Sequence, residues 1–354
     1  MSDNDSLIVD MTTRIFQDLA DPQTVNNAAD EAWKAPLWSA LEEAGLTRAW
    51  VAEEFGGAGI SIPDGFKVLR VAGSFAVPVP LAETLIAGWL LAQAGLEVPS
   101  GPLTVAPTRS QDRPKLGSDG TLSGSARAVP FAAEADHIAV LAQSGDGAAV
   151  ALVERAAAQV ADGRNLASEP RNTVGFDAVR PVTQAAAPEG LDHDALLMMG
   201  AAVRSAEMAG ALQALLDIGV AYSGERVAFE RPIAKFQAVQ HNLAQLAGET
   251  AAAVAATGSV ADAIERADSF DAGVFLEVAS AKIRVGEAAG EGAAIAHQVM
   301  GAIGFTKEHI LHRFTQRLWS WRDDFGDESR WAARLGERIA AGGADQLWAT
   351  VASG

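Results

Sequence analysis

The sequence has no cysteine, and that absence excludes disulfides, thiolate metal sites and cysteine nucleophiles together. Histidine is sparse as well. The six residues include no pair at the HExxH spacing of a helical zinc site, so no metal is expected. Positive charge is short: 27 Lys and Arg stand against 45 Asp and Glu, a net charge of −18. Such a field repels phosphate backbones and anionic lipid, which argues against nucleic acid or a membrane surface as partner. Any anionic ligand would need a local basic patch. No uninterrupted apolar stretch reaches the ~20 residues of a membrane span. The N-terminal MSDNDS is acidic and no apolar run follows it, so no signal peptide is read and a cytoplasmic protein is expected.

What is present is helical periodicity at both ends. The 354 residues allow two or three domains. Ile8, Met11, Ile15 and Leu19 are spaced for one helical face, and Asp21-Pro22 ends that helix. A second helix holds Leu37, Trp38 and Leu41 and stops at Gly45. Glu53 to Gly59 is a glycine-rich loop; Phe66, Leu69 and Gly73 resume the period; Pro78 and Pro80 break it before a helix over 81–94. Between 101 and 190 the pattern changes. Short apolar runs at Val105, Leu122, Ile138–Leu141 and Val150–Val153 alternate with Ser118-Asp119-Gly120, Gly145-Asp146-Gly147 and Asp162-Gly163, which predicts a small antiparallel β domain. From 191 to 354 the chain is helical again. Val239, Leu243, Leu246, Thr250 and Val254 share a face, and 274–300 reads as one long alanine-rich helix, so a four-helix bundle is expected. The expected fold is mainly α with a small β domain: an N-terminal helical domain over 1–100, a middle β domain over 101–190 and a C-terminal bundle over 191–354.

Few residues carry obvious chemistry. Arg226, in the segment Gly224 to Pro232 with Phe229 and Arg231, either holds a phosphate or a stacked ring or is a solvated inter-helix turn. Gly301 and Gly304 permit a tight turn and close backbone approach to a ligand, and an ordinary helix cap explains them equally well. Trp319 and Trp321 fall on different helical faces, so they form either the wall of a pocket or interface, or a core helix end packed on two sides. Asp323, Asp324, Asp327, Glu328 and Glu308 are potential bases, and solvated surface acids are the expectation for each.

Three segments together resemble the acyl-CoA dehydrogenase family. The first runs from Gly45-Leu46 through Glu53-Glu54-Phe55-Gly56-Gly57-Ala58-Gly59 to Pro78–Thr84. The second is Glu225-Arg226, Phe229, Pro232-Ile233 and Phe236–Gln240. The third is His297-Gln298-Val299-Met300-Gly301, Gly304-Phe305-Thr306 and Glu308-His309. The resemblance implies FAD as cofactor and α,β-desaturation of an acyl-CoA thioester, with a glutamate taking the α-proton while the β-hydride passes to flavin N5. It places FAD at a subunit interface, where Arg226, Phe229, Gln298 and Gly301 match the residues that reach a neighbouring subunit's FAD. Arginine suits its pyrophosphate because it donates in a fork.

The departures point further. The glycine usual after the phenylalanine is Glu230, and the third motif's second glycine is Ala302. The threonine-glutamate-proline and glycine-serine-aspartate run of the middle domain is replaced by Arg109–Pro114 and Gly117-Ser118-Asp119. The two usual locations of the catalytic glutamate fall at about Phe325 and Gly200. Asp323 or Asp324 would be a methylene short, and proton abstraction is sensitive to ~1 Å of misplacement. The chain is therefore similar to the shorter, degenerate subunit of bacterial heterotetrameric (α2β2) acyl-CoA dehydrogenases used on bulky substrates such as steroid side-chain CoA thioesters. In that reading it has no catalytic residue of its own and pairs with a homologous catalytic subunit. A homomeric enzyme with a displaced base and a flavin-free structural or regulatory protein are the competing readings.

Overall fold

A computed structural model describes residues 3–145 and 147–352. Five helices come first: α1 (Asp3–Ala20), α2 (Pro22–Asn27), α3 (Lys34–Glu43), α4 (Ile62–Phe75) and α5 (Leu81–Gln93). Helix α1 ends where Asp21-Pro22 requires, but Asp21 also starts α2 by accepting a hydrogen bond from the Thr24 amide at 2.9 Å. The buried line of α1 differs from the expected one. Thr12, Phe16 and Ala20 are buried, Ile8, Ile15 and Leu19 flank them, and Met11 is exposed. Phe16 sets this rotation by stacking on Phe75, centroids 5.4 Å apart.

The middle of the chain forms β1 (Leu103–Ala106), β2 (Lys115–Leu116), β3 (Leu122–Pro130), β4 (His137–Ser144), β5 (Gly147–Glu154), β6 (Gln159–Ala161), β7 (Arg171–Val179) and β8 (Thr183–Ala186). They make one sheet in the order β6-β7-β3-β2-β4-β5-β8, with β1 also paired to β4. The expectation of an antiparallel sheet needs correcting: β1 and β2 both run parallel to β4. The intervening β2–β3 segment gives β1 the long connection that a parallel pair requires.

The remaining helices are α6 (His193–Glu225), α7 (Gln237–Arg266), α8 (Ala272–Met300), α9 (Leu311–Asp323), α10 (Glu328–Gly342) and α11 (Ala344–Ala352). Helices α6 to α9 form the bundle, its core built from residues such as Leu212, Leu246, Val285, Phe314 and Leu318. A two-strand ribbon, β9 (Val227–Ala228) with β10 (Arg231–Pro232), links α6 to α7. Helix α6 is long and apolar enough to cross a membrane, yet its most apolar window is wholly buried in the protein, as befits a central helix. It crosses α4 in backbone contact: a Cβ on Gly210 would lie 1.9 Å from the Arg70 carbonyl, and one on Gly73 2.0 Å from the Glu207 carbonyl. Glycine at both positions lets α6 sit close enough to bring Arg204 and Glu207 beside the first helical region.

Candidate functional site

Arg226 caps the C-terminus of α6, and its amide donates to the Tyr222 carbonyl at 2.8 Å. Among the described residues its guanidinium has no hydrogen-bond or ion-pair partner, and it is exposed. Phe229 follows in the ribbon's two-residue turn and is 90% exposed. Phe229 and Glu230 both have positive φ, 52° and 66°. That is the geometry of a tight hairpin turn, which glycine enters freely and a phenylalanine or glutamate enters under strain. Behind the turn, Phe236 meets Phe229 edge to face at 6.2 Å and carries the Arg231 guanidinium 4.2 Å from its ring centre.

Gln298 is exposed on the last turn of α8, and Gly301 caps that helix at φ 63°. A Cβ on Gly301 would meet nothing within 4 Å, so its backbone faces open space. Phe305 is 72% exposed, and its back is stacked on His297, centroids 4.3 Å apart; His297 stacks in turn on Trp319 at 6.0 Å. The turn after α6 thus holds Arg226 and Phe229, and the end of α8 holds Gln298 and Gly301. Leu212 of α6 packs on Gly292 of α8, and both helices then run on in the same direction, so both pairs lie toward one end of the bundle. No described hydrogen bond joins the two pairs. Val220, Val227 and Ile303, in the same two chain segments, are exposed as well. This is an outward-facing half-site: a free guanidinium, an exposed ring and an accessible backbone, suited to a phosphate and a flat group presented from outside.

Phe325 and Gly200, the positions that the resemblance sets near the two base locations, meet inside the chain. The Phe325 ring lies directly over Gly200 of α6; a Cβ there would be 2.2 Å from the ring. Phe325 is 3% exposed and adopts φ 57°. Neither position carries a carboxyl group.

For Asp324 the expectation of a solvated acid fails. Its carboxylate accepts Arg171 Nε at 3.1 Å, Arg171 Nη2 at 2.7 Å and Arg204 Nε at 2.9 Å. Burial pushes its pKa up, but Arg171 and Arg204 outweigh burial and hold it below the usual range. Arg204 reaches on to Glu83 of α5 and to Glu207, and Glu169 pairs with Arg171 at 3.2 Å and with Arg317 at 2.9 Å. Lys282 of α8 is fully buried nearby, its ammonium donating to the Trp321 carbonyl at 2.9 Å, and burial lowers its pKa to about 7. Burial raises Glu207 to about 7 against the pull of Arg204. The other candidate acids separate: Asp327 caps α10 through the Arg330 amide, Glu328 pairs with Arg322, and Glu308 is exposed.

Trp321 is buried and donates to Glu169 at 3.2 Å, whereas Trp319 is half-buried. Trp319 walls a cleft of about 290 Å³ between α9 and the sheet, bounded also by Thr108, Arg109, Arg164, Asp323 and Phe325. The two tryptophans therefore divide the core and pocket-wall roles. Asp323 faces this cleft, and burial with Asp327 and Asp324 nearby raises its pKa. In the replaced middle segment, Asp112 pairs with Arg127 at 2.7 Å, and Arg113 lies 2.8 Å from His193 Nε2. Burial, with Arg113 adding to it, lowers His193 to about 4, so the ring is neutral at pH 7.

The ion cluster was not anticipated from the sequence. One signal was available: Arg204 and Glu207 interrupt an otherwise apolar helix at a spacing of three, and Glu83 interrupts another apolar run.

A family model described as acyl-CoA dehydrogenase, C-terminal domain, matches residues 193–321. Acyl-CoA dehydrogenase IpdE2 of Mycolicibacterium smegmatis is 29% identical over 327 residues, covering 90% of this chain and 93% of that protein. The structure of the ChsE4-ChsE5 complex from Mycobacterium tuberculosis matches with a TM-score of 0.85 at 21% identity, covering 96% of this chain and 98% of that one. The Tcur3481-Tcur3483 steroid ACAD matches with a TM-score of 0.82 at 26% identity, over the same shares. The chain is thus similar to acyl-CoA dehydrogenases along nearly its full length and matches that family's model over residues 193–321, and FAD-bound structures share its fold.

Proposed function

We propose that the chain is the non-catalytic subunit of a heterotetrameric acyl-CoA dehydrogenase, and that it completes the FAD site of a homologous catalytic subunit. The observation that carries this reading is an exposed half-site in a chain whose expected base position holds no base. Arg226, Phe229, Gln298 and Gly301 are exposed, and the Arg226 guanidinium has no hydrogen-bond or ion-pair partner among the described residues, while Phe325 and Gly200 occupy the inner position. Bound FAD supplies the electron sink of the desaturation. This chain's part is to hold it: Arg226 donates to the pyrophosphate, Phe229 offers a face, and the open backbone at Gly301 admits a close approach. The substrate reading is a bulky acyl-CoA such as a steroid side-chain thioester, supported by the likeness to a steroid ACAD named for two proteins.

The test is Arg226→Ala in the assembled complex. A charge-assisted hydrogen bond contributes about 1.5–3 kcal/mol, so FAD should be held roughly 10- to 100-fold more weakly. Unchanged flavin affinity would sink the assignment. A homomeric enzyme has one observation in its favour, the raised pKa of Asp323 in the Trp319 cleft.

A further inference from the structure

We infer that Phe325 is a built-in plug that closes this chain's own acyl position, with Gly200 as its seat and Asp324 as its clamp. The inference rests on the proposed reading in one respect, the equivalence of Phe325 and Gly200 with the two base locations. Two chain positions that serve one proton abstraction must converge on the carbon that loses the proton. They do converge here, and a buried aromatic ring fills the point of convergence. The base has not merely been lost. The space in which base and substrate would meet is occupied.

The plug is held deliberately. Phe325 sits at φ 57°, which a bulky residue keeps only when its surroundings over-determine it. On one side, Asp324 is fixed by Arg171 and Arg204. On the other, the Trp331 indole donates to the Phe325 carbonyl at 3.2 Å, and Gly326 turns the chain at φ 99°. Beneath the ring, only glycine fits at 200. The ring therefore leaves no room for an acyl group over Gly200. The acyl group of a bulky substrate must be housed by the catalytic subunit or by the space between subunits.

The experiment is a double-mutant cycle on the full chain, read by thermal unfolding with and without saturating benzene. Gly200→Ala in the wild-type background should lower Tm by roughly 5 °C, because the new methyl overpacks the ring. The same change in a Phe325→Ala background should cost little, since the ring is gone. Benzene should raise the Tm of Phe325→Ala and leave wild type unchanged, as an apolar cavity takes an apolar guest. Phe325→Leu, the milder variant, should show a reduced Gly200→Ala cost if Phe325→Ala does not fold. Equal Gly200→Ala costs in the backgrounds, a benzene shift in wild type, or no shift in Phe325→Ala would each overturn the plug. The readout needs neither partner nor flavin, so its failure is distinct from failure of the FAD-site reading.

Discussion

Arg204→Met is the change that most sharply probes the buried ion cluster. Arg204 is buried and bonds three carboxylates: Glu83, Glu207 at 2.5 Å and Asp324 at 2.9 Å. Asp324 keeps both bonds from Arg171 when Arg204 is lost, so the damage falls on Glu83 and Glu207. One Glu83 oxygen already lacks a partner and the other depends on Arg204, which leaves that carboxylate stranded. Methionine fills most of the volume, so the effect is electrostatic rather than a cavity. Breaking a buried pair from one side costs about 3–5 kcal/mol. The cost should also depend on pH. Glu207 stands at about 7 against a usual 4.5, and losing Arg204 raises it further. A carboxyl whose folded pKa is raised favours the fold below its unfolded pKa, and that contribution is lost as pH rises through the folded value. The variant should therefore be more destabilised at pH 8 than at pH 5.5. Thermal unfolding of wild type and variant at both pH values checks this, and a Tm within about 1 °C of wild type at both would refute the reasoning.

Lys282→Met should be tolerated near pH 7, where about half the lysine is already neutral. Because the folded pKa is depressed from 10.5 to about 7, wild type gains stability as pH rises across that window, and the variant should lose this slope of up to about 1.4 kcal/mol per pH unit. Denaturant unfolding at pH 7 and pH 9 reads the difference directly. Asp323→Asn should leave turnover of the assembled enzyme within about twofold, since the chain is read as supplying no base; a loss of the 10²–10⁴-fold typical of a general base would favour the homomeric reading.

The outline of the fold was legible because periodicity and punctuation agreed. Pro78 and Pro80 immediately precede α5, the 274–300 run is α8 to within two residues, and the predicted strand segments lie in β1, β3, β4 and β5. The sheet's polarity was not legible, since alternation along a strand says nothing about its neighbour's direction. The rotation of α1 was misread because a single large residue, Phe16, outweighs a regular set of smaller ones. In the site, Arg226 and Gly301 stood out from the residues alone, the cofactor-contact role of Arg226, Phe229, Gln298 and Gly301 came from a resemblance, and the structure places each of the four at the surface. Asp324 was misread as a solvated acid because its arginines lie 120 and 153 residues away in the sequence. Phe325 over Gly200 was equally hidden: that contact exists only after α6 and the end of α9 have packed.

The central claim is tested most directly by the visible absorbance spectrum of this chain purified alone and then mixed with a catalytic acyl-CoA dehydrogenase subunit. The account predicts little or no flavin on the isolated chain and flavin retained once the two are assembled. About one flavin per chain in the isolated protein would contradict it.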